Sequence, residues 1–381
     1  MPSLLRDRPA STPEMLAVFG DEALLKAALT FEAQLALAQG ELGLIPPADA
    51  EAIAAACAQS FDVTELAEAA AHAGTLAIPL VERLRARMAP SEAAARVHKG
   101  ATSQDLADTA LMLQAREGAA LIRRDAARLA DALAVLAREH RSTPMLGRTL
   151  LQAALPITFG LKVSTWLSGV VGALERFERE TSAIRLQLGG ATGSRAGLDG
   201  QGAALAERLA ERLDLHPALP WHAERQGLAG LASALAILTG AVGKIAGDVA
   251  LMAQVEVGEA FEPRQAGRGG SSAMAHKRNP TGCQVALSAA IRAPHLATTI
   301  VSALPQQHER GLGGWQAEAP ALADLFQLAH GALTAMLVVI KGLEVDAARM
   351  GANLAAAQVG TDTGESQALV DQALTAYEKD R

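Results

Sequence analysis

Residues 16–43 read LAVFGDEALLKAALTFEAQLALAQGELG, and their apolar side chains recur at steps of three and four residues. This spacing places the apolar side chains on one face of a helix. Longer stretches of similar texture follow at about 103–140, 155–188, 225–260 and 281–303. Each is several times longer than the average globular helix of about 11 residues. Helices of that length normally pack side by side, so the sequence predicts an all-α fold built on a bundle of long helices.

The composition supports a helical protein and limits the functional classes. Residues that favour helices dominate, and aromatic residues make up only 3% of the 381 residues. The net charge of −7 argues against a general nucleic-acid or membrane-surface binder, because both need a basic face. No apolar run approaches the roughly 20 residues of a membrane span, and the N-terminus has charges where a signal peptide has its apolar core. Cys57 and Cys283 are expected to be buried thiols of a reducing compartment. We therefore expect a cytoplasmic protein without nucleic-acid or membrane partners.

Breaks in the helical pattern divide the chain into three regions. We expect an N-terminal helical domain (1–104), a central long-helix bundle domain (105–345), and a shortened C-terminal tail (346–381) with one short amphipathic helix. Long helices interrupted at a few hydrophilic joints indicate that function collects at the joints. The polar, glycine-bearing joints lie at 98–105, 188–202 and 267–280.

The first segment with candidate functional residues, HKGATSQD (98–105), comes just before a long helix. Thr102 or Ser103 is a natural N-cap, and unpaired backbone N–H groups at a helix start favour an anion. A capped helix start is the alternative interpretation. Four consecutive polar side chains, however, exceed what capping needs.

The second segment is GRTLLQAALP (147–156). In one interpretation Arg148 or Thr149 shares a helix face with Gln152, since their spacing is three or four residues. A solvated turn at a helix start is the alternative, and taken alone the segment favours it.

The third segment, GRGGSSAMAHKRNP (267–280), combines glycines, two serines and two adjacent cations, Lys277 and Arg278. Glycine permits close approach of the backbone to a ligand. The segment is not a Walker phosphate loop, because His276 stands where that loop has a glycine before its lysine. Taken alone, a flexible solvated loop would explain it.

Together the three segments resemble the fumarase/aspartase superfamily. The loop signature of that superfamily, G-S-S-x-M-P-x-K-x-N, matches residues 270–279 except at Ala275, which replaces a proline and is expected to loosen the loop. T-S-x-D matches 102–105, and G-R-T-H-x-Q-x-A-x-P matches 147–156 except at Leu150. The resemblance covers roughly residues 15–345.

The resemblance implies an all-α homotetramer whose active sites combine the three segments from different subunits. It also implies addition or β-elimination next to a carboxylate, through an aci-carboxylate and with no metal or other cofactor. By this resemblance Ser271 is the base at carbon, with Ser272 beside it in the catalytic set. Lys277 and Asn279 hold the substrate carboxylate.

Leu150 indicates which reaction this member performs. Most lyases of the superfamily have a histidine there, and strongly basic leaving groups need such a general acid. A carboxylate, with a pKa of about 4, needs no such help. The sequence is thus similar to the bacterial 3-carboxy-cis,cis-muconate cycloisomerase branch, in which a substrate carboxylate adds intramolecularly to a double bond during protocatechuate breakdown. An adenylosuccinate-lyase-like or other β-eliminating lyase is the first alternative, and an inactive helical scaffold is the second.

A triply anionic substrate needs several donors and cations. We expect Thr102 and Ser103 to help Lys277 and Asn279 stabilise the dianion. His98 and His308 are candidates to orient carboxylates, with a structural role as the alternative for each. The full set of predicted substrate-binding residues is His98, Thr102, Ser103, Gln104, Arg148, Thr149, Gln152, Asn279, His308 and Arg310.

Overall fold

A computed structural model describes residues 4–182, 184–270, 274 and 277–379. Almost all regular structure in these residues is helical, which confirms the predicted all-α class. The helices are α1 (Leu4–Asp7), α2 (Pro13–Val18), α3 (Asp21–Glu41), α4 (Pro47–Cys57), α5 (Val63–Ala73), α6 (Ala77–Met88), α7 (Ser103–Glu139), α8 (Phe159–Thr181), α9 (Gly202–Leu213), α10 (Gln226–Met252), α11 (Thr281–Ser302), α12 (Gly314–Lys341), α13 (Ala347–Ala357) and α14 (Ser366–Lys379). The strands are β1 (Pro144–Thr149), β2 (Gln152–Thr158), β3 (Ala260–Phe261) and β4 (Glu344–Val345).

Five long helices, α7, α8, α10, α11 and α12, form the central bundle and contain most of the buried apolar side chains. The first four match the long stretches predicted from sequence, whereas α12 was not singled out. Small residues let these helices approach closely. A Cβ added to Gly243 on α10 would lie 2.5 Å from the Cβ of Ala290 on α11.

The bundle has two ends, which we name by their contents. At the Thr102 end, Arg225 precedes α10 and bonds to Asp108 on α7 and Glu318 on α12. At the loop end, β3 follows α10 and pairs with β4, which follows α12. There the carboxylate of Glu262 accepts backbone N–H bonds from the first turn of α11 at 3.0 and 2.7 Å. Helices α10 and α12 therefore run from the Thr102 end to the loop end, and α11 runs back.

The C-terminal tail contains two helices, so the prediction of one is wrong. Asp346 starts α13 by accepting a hydrogen bond from the backbone N–H of Arg349 at 2.8 Å. Helix α13 packs on β1, and α14 packs on α7 and α8. Arg141 and Asp371 form an ion pair at 2.5 Å that fastens α14 to the end of α7.

Helices α10, α11 and α12 are long and apolar enough, by length and composition, to cross a membrane. The expectation that no run approaches this length is therefore wrong. The reason is that alanine, glycine and leucine also suit tightly packed bundle helices. The most apolar parts of α10 and α12 are 61% and 67% buried within the protein, but that of α11 is only 28% buried.

The predicted burial of both cysteines is confirmed. Desolvation raises the pKa of Cys57 to about 12, and the pKa of Cys283 is raised for the same reason. Both thiols therefore stay protonated at neutral pH.

Candidate active site

The first segment forms the capped start of α7, as its sequence predicts. Thr102 is the N-cap, and its backbone N–H donates to the carboxylate of Asp105 at 2.9 Å. Thr102 and Ser103 are half-buried at this helix start. Backbone N–H groups at the first turn of a helix attract anions, so this position suits a substrate carboxylate.

Asp105 is fully buried and organises the surroundings of this helix start. Its carboxylate accepts backbone N–H bonds from Gly189 and Gly190 at 2.8 and 2.9 Å, and it lies 2.8 Å from Nε2 of His222. The joint at 188–202 is thereby held against α7. Gln104 is also fully buried, and its amide donates to the carbonyl of His222 at 3.1 Å. Gln104 therefore faces the protein interior and not an open site.

Two further predicted residues, His308 and Arg310, lie on the loop between α11 and α12, and Arg310 contacts the Thr102 end. The guanidinium of Arg310 donates to the hydroxyl of Thr102 at 2.5 Å. His308 is exposed on the same loop, with a left-handed φ of +48°. The structure thus brings Arg310 and Thr102 into contact, although 208 residues separate them.

His98 lies in the turn before Thr102 and bonds to a residue that sequence analysis did not single out. Its Nδ1 is 2.5 Å from Oε1 of Glu32 on α3. Glu32 is 1% exposed. A glutamate inside an apolar helical stretch was the available signal, since a buried carboxylate needs a partner.

A buried ion cluster, also missed by sequence analysis, fastens the Thr102 end. Arg225 is 1% exposed, and its guanidinium donates to Asp108 at 2.7 and 2.9 Å and to Glu318 at 3.0 Å. Its guanidinium carbon lies 4.7 Å from the ring centroid of Trp221. Burial opposes the charge of Arg225, but Asp108 and Glu318 outweigh this and raise its pKa. The cluster fixes the starts of α7, α10 and α12 relative to one another.

The second segment forms a β-hairpin, so the prediction of a helical turn there is wrong. Strands β1 and β2 pair antiparallel, and Thr149 lies opposite Gln152. Leu150 and Leu151 make the turn with left-handed φ values of +51° and +63°. Helix α8 starts only after the hairpin, because the hydroxyl of Thr158 caps it by accepting from the backbone N–H of Leu161 at 3.2 Å.

The tip of this hairpin is exposed and apolar. Leu150 is 96% exposed and Leu151 is 73% exposed. Thr149 and Gln152 are also exposed. In this chain the predicted binding side chains of the hairpin therefore face outward, away from the bundle.

Arg148 is engaged within the protein. Its two terminal nitrogens donate to the two carboxylate oxygens of Glu259 at 2.9 and 2.8 Å. Asn353 on α13 donates to the same carboxylate at 2.8 Å. Arg148 thus joins the hairpin to β3 and the tail.

The third segment is described only in part. Ser271, Ser272, Ala275 and His276 lie outside the described residues, so their predicted roles are carried by sequence alone. The neck of the loop closes where the backbone N–H of Asn279 donates to the carbonyl of Gly269 at 2.8 Å.

Gly269 has a left-handed φ of +72°, and a Cβ there would lie 2.7 Å from the carbonyl oxygen of Asn279. Only glycine fits this neck without a shift of the backbone. The side-chain amide of Asn279 donates to the carbonyl of Gly270 at 3.3 Å. Lys277 is exposed, whereas Arg278 bonds to Glu344 at 3.0 Å.

A cavity of about 220 Å³ opens beside the loop. Cationic side chains and backbone atoms of the third segment line this cavity beside the end of α10. Among its lining residues are Phe261, Arg268, Gly270, Lys277 and Asn279. Within the described residues, no group of three or more His, Cys, Asp or Glu side chains is placed to hold a metal ion.

Among the described residues, the three segments lie at two different ends of the chain. The first segment and Arg310 are at the Thr102 end, whereas the hairpin and Lys277 are at the loop end. Helix α11 links the two ends, and its 22 residues span about 33 Å at 1.5 Å per residue. A site that uses all three segments needs more than one copy of the chain.

These segments occur in a chain whose residues 8–294 match the model of the lyase family. The chain belongs to the lyase family. It is an enzyme of the fumarase/aspartase superfamily, as the three segments predict.

Three relatives of this lyase are especially informative. It is 49% identical to a 3-carboxy-cis,cis-muconate cycloisomerase of Bradyrhizobium diazoefficiens over 349 residues, which cover 90% of this chain and 77% of the relative. It is 43% identical to a nitrosuccinate lyase of Streptomyces davaonensis over 363 residues, which cover 92% of this chain and 76% of that enzyme. A crystal structure of 3-carboxy-cis,cis-muconate lactonizing enzyme from Pseudomonas putida matches with a TM-score of 0.88 at 40% identity, covering 100% of this chain and 89% of the other.

Proposed function

We propose that this enzyme lactonises 3-carboxy-cis,cis-muconate to a carboxymuconolactone in protocatechuate (β-ketoadipate) degradation. The observation that carries the proposal is Leu150, which stands at the hairpin tip where most lyases of the superfamily have a histidine. A leucine cannot donate a proton, and a carboxylate nucleophile or leaving group does not need one. Relatives of 49% and 40% identity carry names for this reaction.

The reaction needs one new C–O bond and one proton. An oxygen of a substrate carboxylate attacks the conjugated double bond, and the π electrons move onto the neighbouring carboxylate as an aci-carboxylate. A proton then adds to the carbon that lies between the new C–O bond and the aci-carboxylate. We assign this proton transfer to Ser271, with Ser272 beside it. Donors placed where negative charge develops are usually the largest catalytic contribution.

The donors are assigned from both ends of the bundle. Lys277 and Asn279 hold the reacting carboxylate at the loop end of one chain. Thr102, Ser103 and Arg310 supply the helix start and a cation from another chain. Arg148 acts through Glu259 by holding the hairpin in place, while Thr149 and Gln152 contact substrate from the exposed hairpin.

We propose that the working form is a homotetramer, because this brings both ends of the bundle together. Two features support an assembly. The site segments of one chain are too far apart to act together, and α11 has apolar side chains that one chain leaves uncovered. Ile291 on α11 is 70% exposed. Such an apolar surface on a helix bundle is typical of a subunit interface.

We keep the three-region division at 1–104, 105–345 and 346–381 as part of this proposal. We also place the enzyme in the cytoplasm. Two buried thiols that remain protonated suit a reducing compartment.

Leu150→Ala is expected to change kcat by less than about ten-fold, since the side chain supplies no proton in this mechanism. An increase in KM is expected, because the variant removes apolar contact area. The measurement is the loss of diene ultraviolet absorbance with 3-carboxymuconate. Leu155→Ala is the matched control, since Leu155 is 73% exposed on the same hairpin. A loss of kcat above a hundred-fold for Leu150→Ala alone would show that this position takes part in the chemistry.

Elimination of nitrite from nitrosuccinate is a second candidate function. Nitrite is a weak base and also leaves without a general acid, so Leu150 permits this reaction, and one relative of 43% identity is a nitrosuccinate lyase. Adenylosuccinate has a more basic leaving group, and Leu150 disfavours it. Assays of all three substrates in parallel decide among them. Fumarate release from nitrosuccinate or adenylosuccinate, without conversion of 3-carboxymuconate, would contradict the proposed function.

A further inference from the structure

We infer that Glu32, a buried carboxylate on α3, holds His98 as a cation and directs it toward a substrate carboxylate. Glu32 is then a positioning residue outside the three segments. The inference rests on the proposed function, because a trianionic substrate is what makes a further cation useful at the Thr102 end.

The two side chains of the Glu32–His98 pair differ in their exposure to solvent. Nδ1 of His98 lies 2.5 Å from Oε1 of Glu32. The Glu32 side chain is fully enclosed, whereas the His98 side chain is 13% exposed. Because Nδ1 of the ring is engaged by an enclosed carboxylate, Nε2 is the ring nitrogen through which His98 would bind a ligand. Within the part of the chain that the structure describes, Nε2 has no hydrogen-bond partner.

The backbone around His98 is held in the conformation that this orientation needs. His98 has a left-handed φ of +64°, which is uncommon for a residue other than glycine. Gln39, also on α3, donates to the carbonyl of Lys99 at 2.7 Å, and Arg85 on α6 donates to the carbonyl of Val97 at 2.9 Å. Helix α3 therefore bonds to this segment at two points. Glu32 bonds to the His98 ring, and Gln39 bonds to the backbone carbonyl of Lys99.

The surrounding charges favour the protonated ring. Burial alone would lower the pKa of His98, but the charge of Glu32 and its hydrogen bond outweigh burial. Asp105 on α7 adds to this effect and Arg85 opposes it, and the pKa of His98 is raised. The imidazolium therefore persists to higher pH than an ordinary histidine and is lost as pH rises through that raised pKa.

The position of the His98 imidazolium suits binding of a substrate carboxylate at the Thr102 end. His98 precedes Thr102 by four residues, and Arg310 donates to the Thr102 hydroxyl. A carboxylate at the start of α7 would meet a guanidinium, an imidazolium and the positive end of the helix. Hydrogen bonds between ionised partners are stronger than neutral ones.

Glu32→Gln tests the inference, since it keeps the shape of the side chain and removes its charge. The His98 ring is followed by NMR with 13Cε1-labelled histidine, assigned by comparison with His98→Asn. We expect the His98 titration to move to lower pH in Glu32→Gln. We expect the alkaline fall of kcat/KM for 3-carboxymuconate to move with it, with a loss of up to about ten-fold at pH values between the two measured His98 midpoints, where only the wild type keeps the charged contact. The loss should appear mainly in KM.

Gln39→Leu is the matched control, because it removes a hydrogen bond from α3 to the same segment and leaves the charges in place. Gln39→Leu is expected to leave unchanged both the pH midpoint of the His98 titration and the pH at which kcat/KM falls on the alkaline side. An unchanged titration or an unchanged limb in Glu32→Gln would overturn the inference, and so would an equal shift in both variants. Any of these results would mean that the Glu32–His98 pair only stabilises the fold.

A separate measurement distinguishes failure of the inference from failure of the proposed function. Propane-1,2,3-tricarboxylate is added to the wild-type enzyme as a trianionic probe while His98 is observed. If 3-carboxymuconate is not converted, the proposed function fails, and the probe still decides the role of His98. A His98 resonance that shifts with the probe in the wild type, and less in Glu32→Gln, supports the cationic role. A His98 resonance that ignores the probe overturns it.

Discussion

Ser271→Ala is expected to lower kcat for 3-carboxymuconate by between about 10²-fold and 10⁴-fold, the range typical of a lost general acid or base. The serine hydroxyl is the group assigned to proton transfer at carbon, and alanine has no proton to exchange. The donors that hold the substrate remain, so KM should change much less than kcat. The measurement is the rate of loss of diene absorbance, with KM taken from the substrate dependence of that rate.

A control is needed for the loss of a hydroxyl as such. Within the described residues, the hydroxyl of Thr30 on α3 donates to the carbonyl of Lys26 in its own helix, and Thr30 lies outside all three segments. Thr30→Ala should therefore retain the rate of the wild type. Should Ser271→Ala retain near wild-type turnover, the proton transfer belongs to another group and the assignment is wrong.

Arg225→Met is expected to reduce the free energy of unfolding by about 3–5 kcal/mol, the usual cost of removing one partner from a buried ion cluster. The variant leaves the carboxylates of Asp108 and Glu318 buried without their cation. Because these residues lie on α7 and α12, the starts of both helices should loosen, and the Thr102 site with them. The measurement is urea unfolding followed by helical circular dichroism at fixed protein concentration.

An exposed ion pair provides the comparison for this effect. Arg138 on α7 donates to Glu378 on α14 at 2.7 Å, and both side chains are more than half exposed. Arg138→Met should cost less than about 1 kcal/mol, as exposed pairs generally do. Equal losses for the two variants would mean that the buried cluster does not hold the bundle together.

Four of the five long helices were predictable because local signals suffice for them. The stretch expected at 103–140 is α7, Ser103–Glu139, since an apolar period and a Thr102 cap both mark its start. The hairpin was missed because two-residue turns are normally marked by Asn-Gly or similar pairs. Here Leu150 and Leu151 occupy the left-handed positions, and nothing in their identity indicates it.

Site residues could be proposed from the sequence only where one segment carries the chemistry. Ser271, Lys277 and Asn279 were proposed because they stand together in one loop that resembles the signature of the superfamily. The partners that position the site lie far apart in sequence, so no local pattern joins them. Glu32 and His98 are separated by 66 residues, and Arg225 and Asp108 by 117. Only the packing of α3, α7 and α10 brings these pairs together.

The central claim is that two copies of the chain contribute the Thr102 end and the loop end of one cycloisomerase site. Two variants test it, the double variant Thr102→Val with Ser103→Ala, and the single variant Lys277→Ala. Each alone should have almost no activity, since each lacks one half of every site. Light scattering first checks that the wild type and both variants assemble to four times the 39.4 kDa chain mass.

The decisive measurement is the turnover of 3-carboxymuconate by mixed oligomers, made by producing both variants in the same cells. If the two ends come from different copies, random assembly leaves both halves intact in about a quarter of the sites. We therefore predict recovery of roughly a quarter of the wild-type rate. A mixed oligomer no more active than either variant alone, beside an active wild type, would contradict the account.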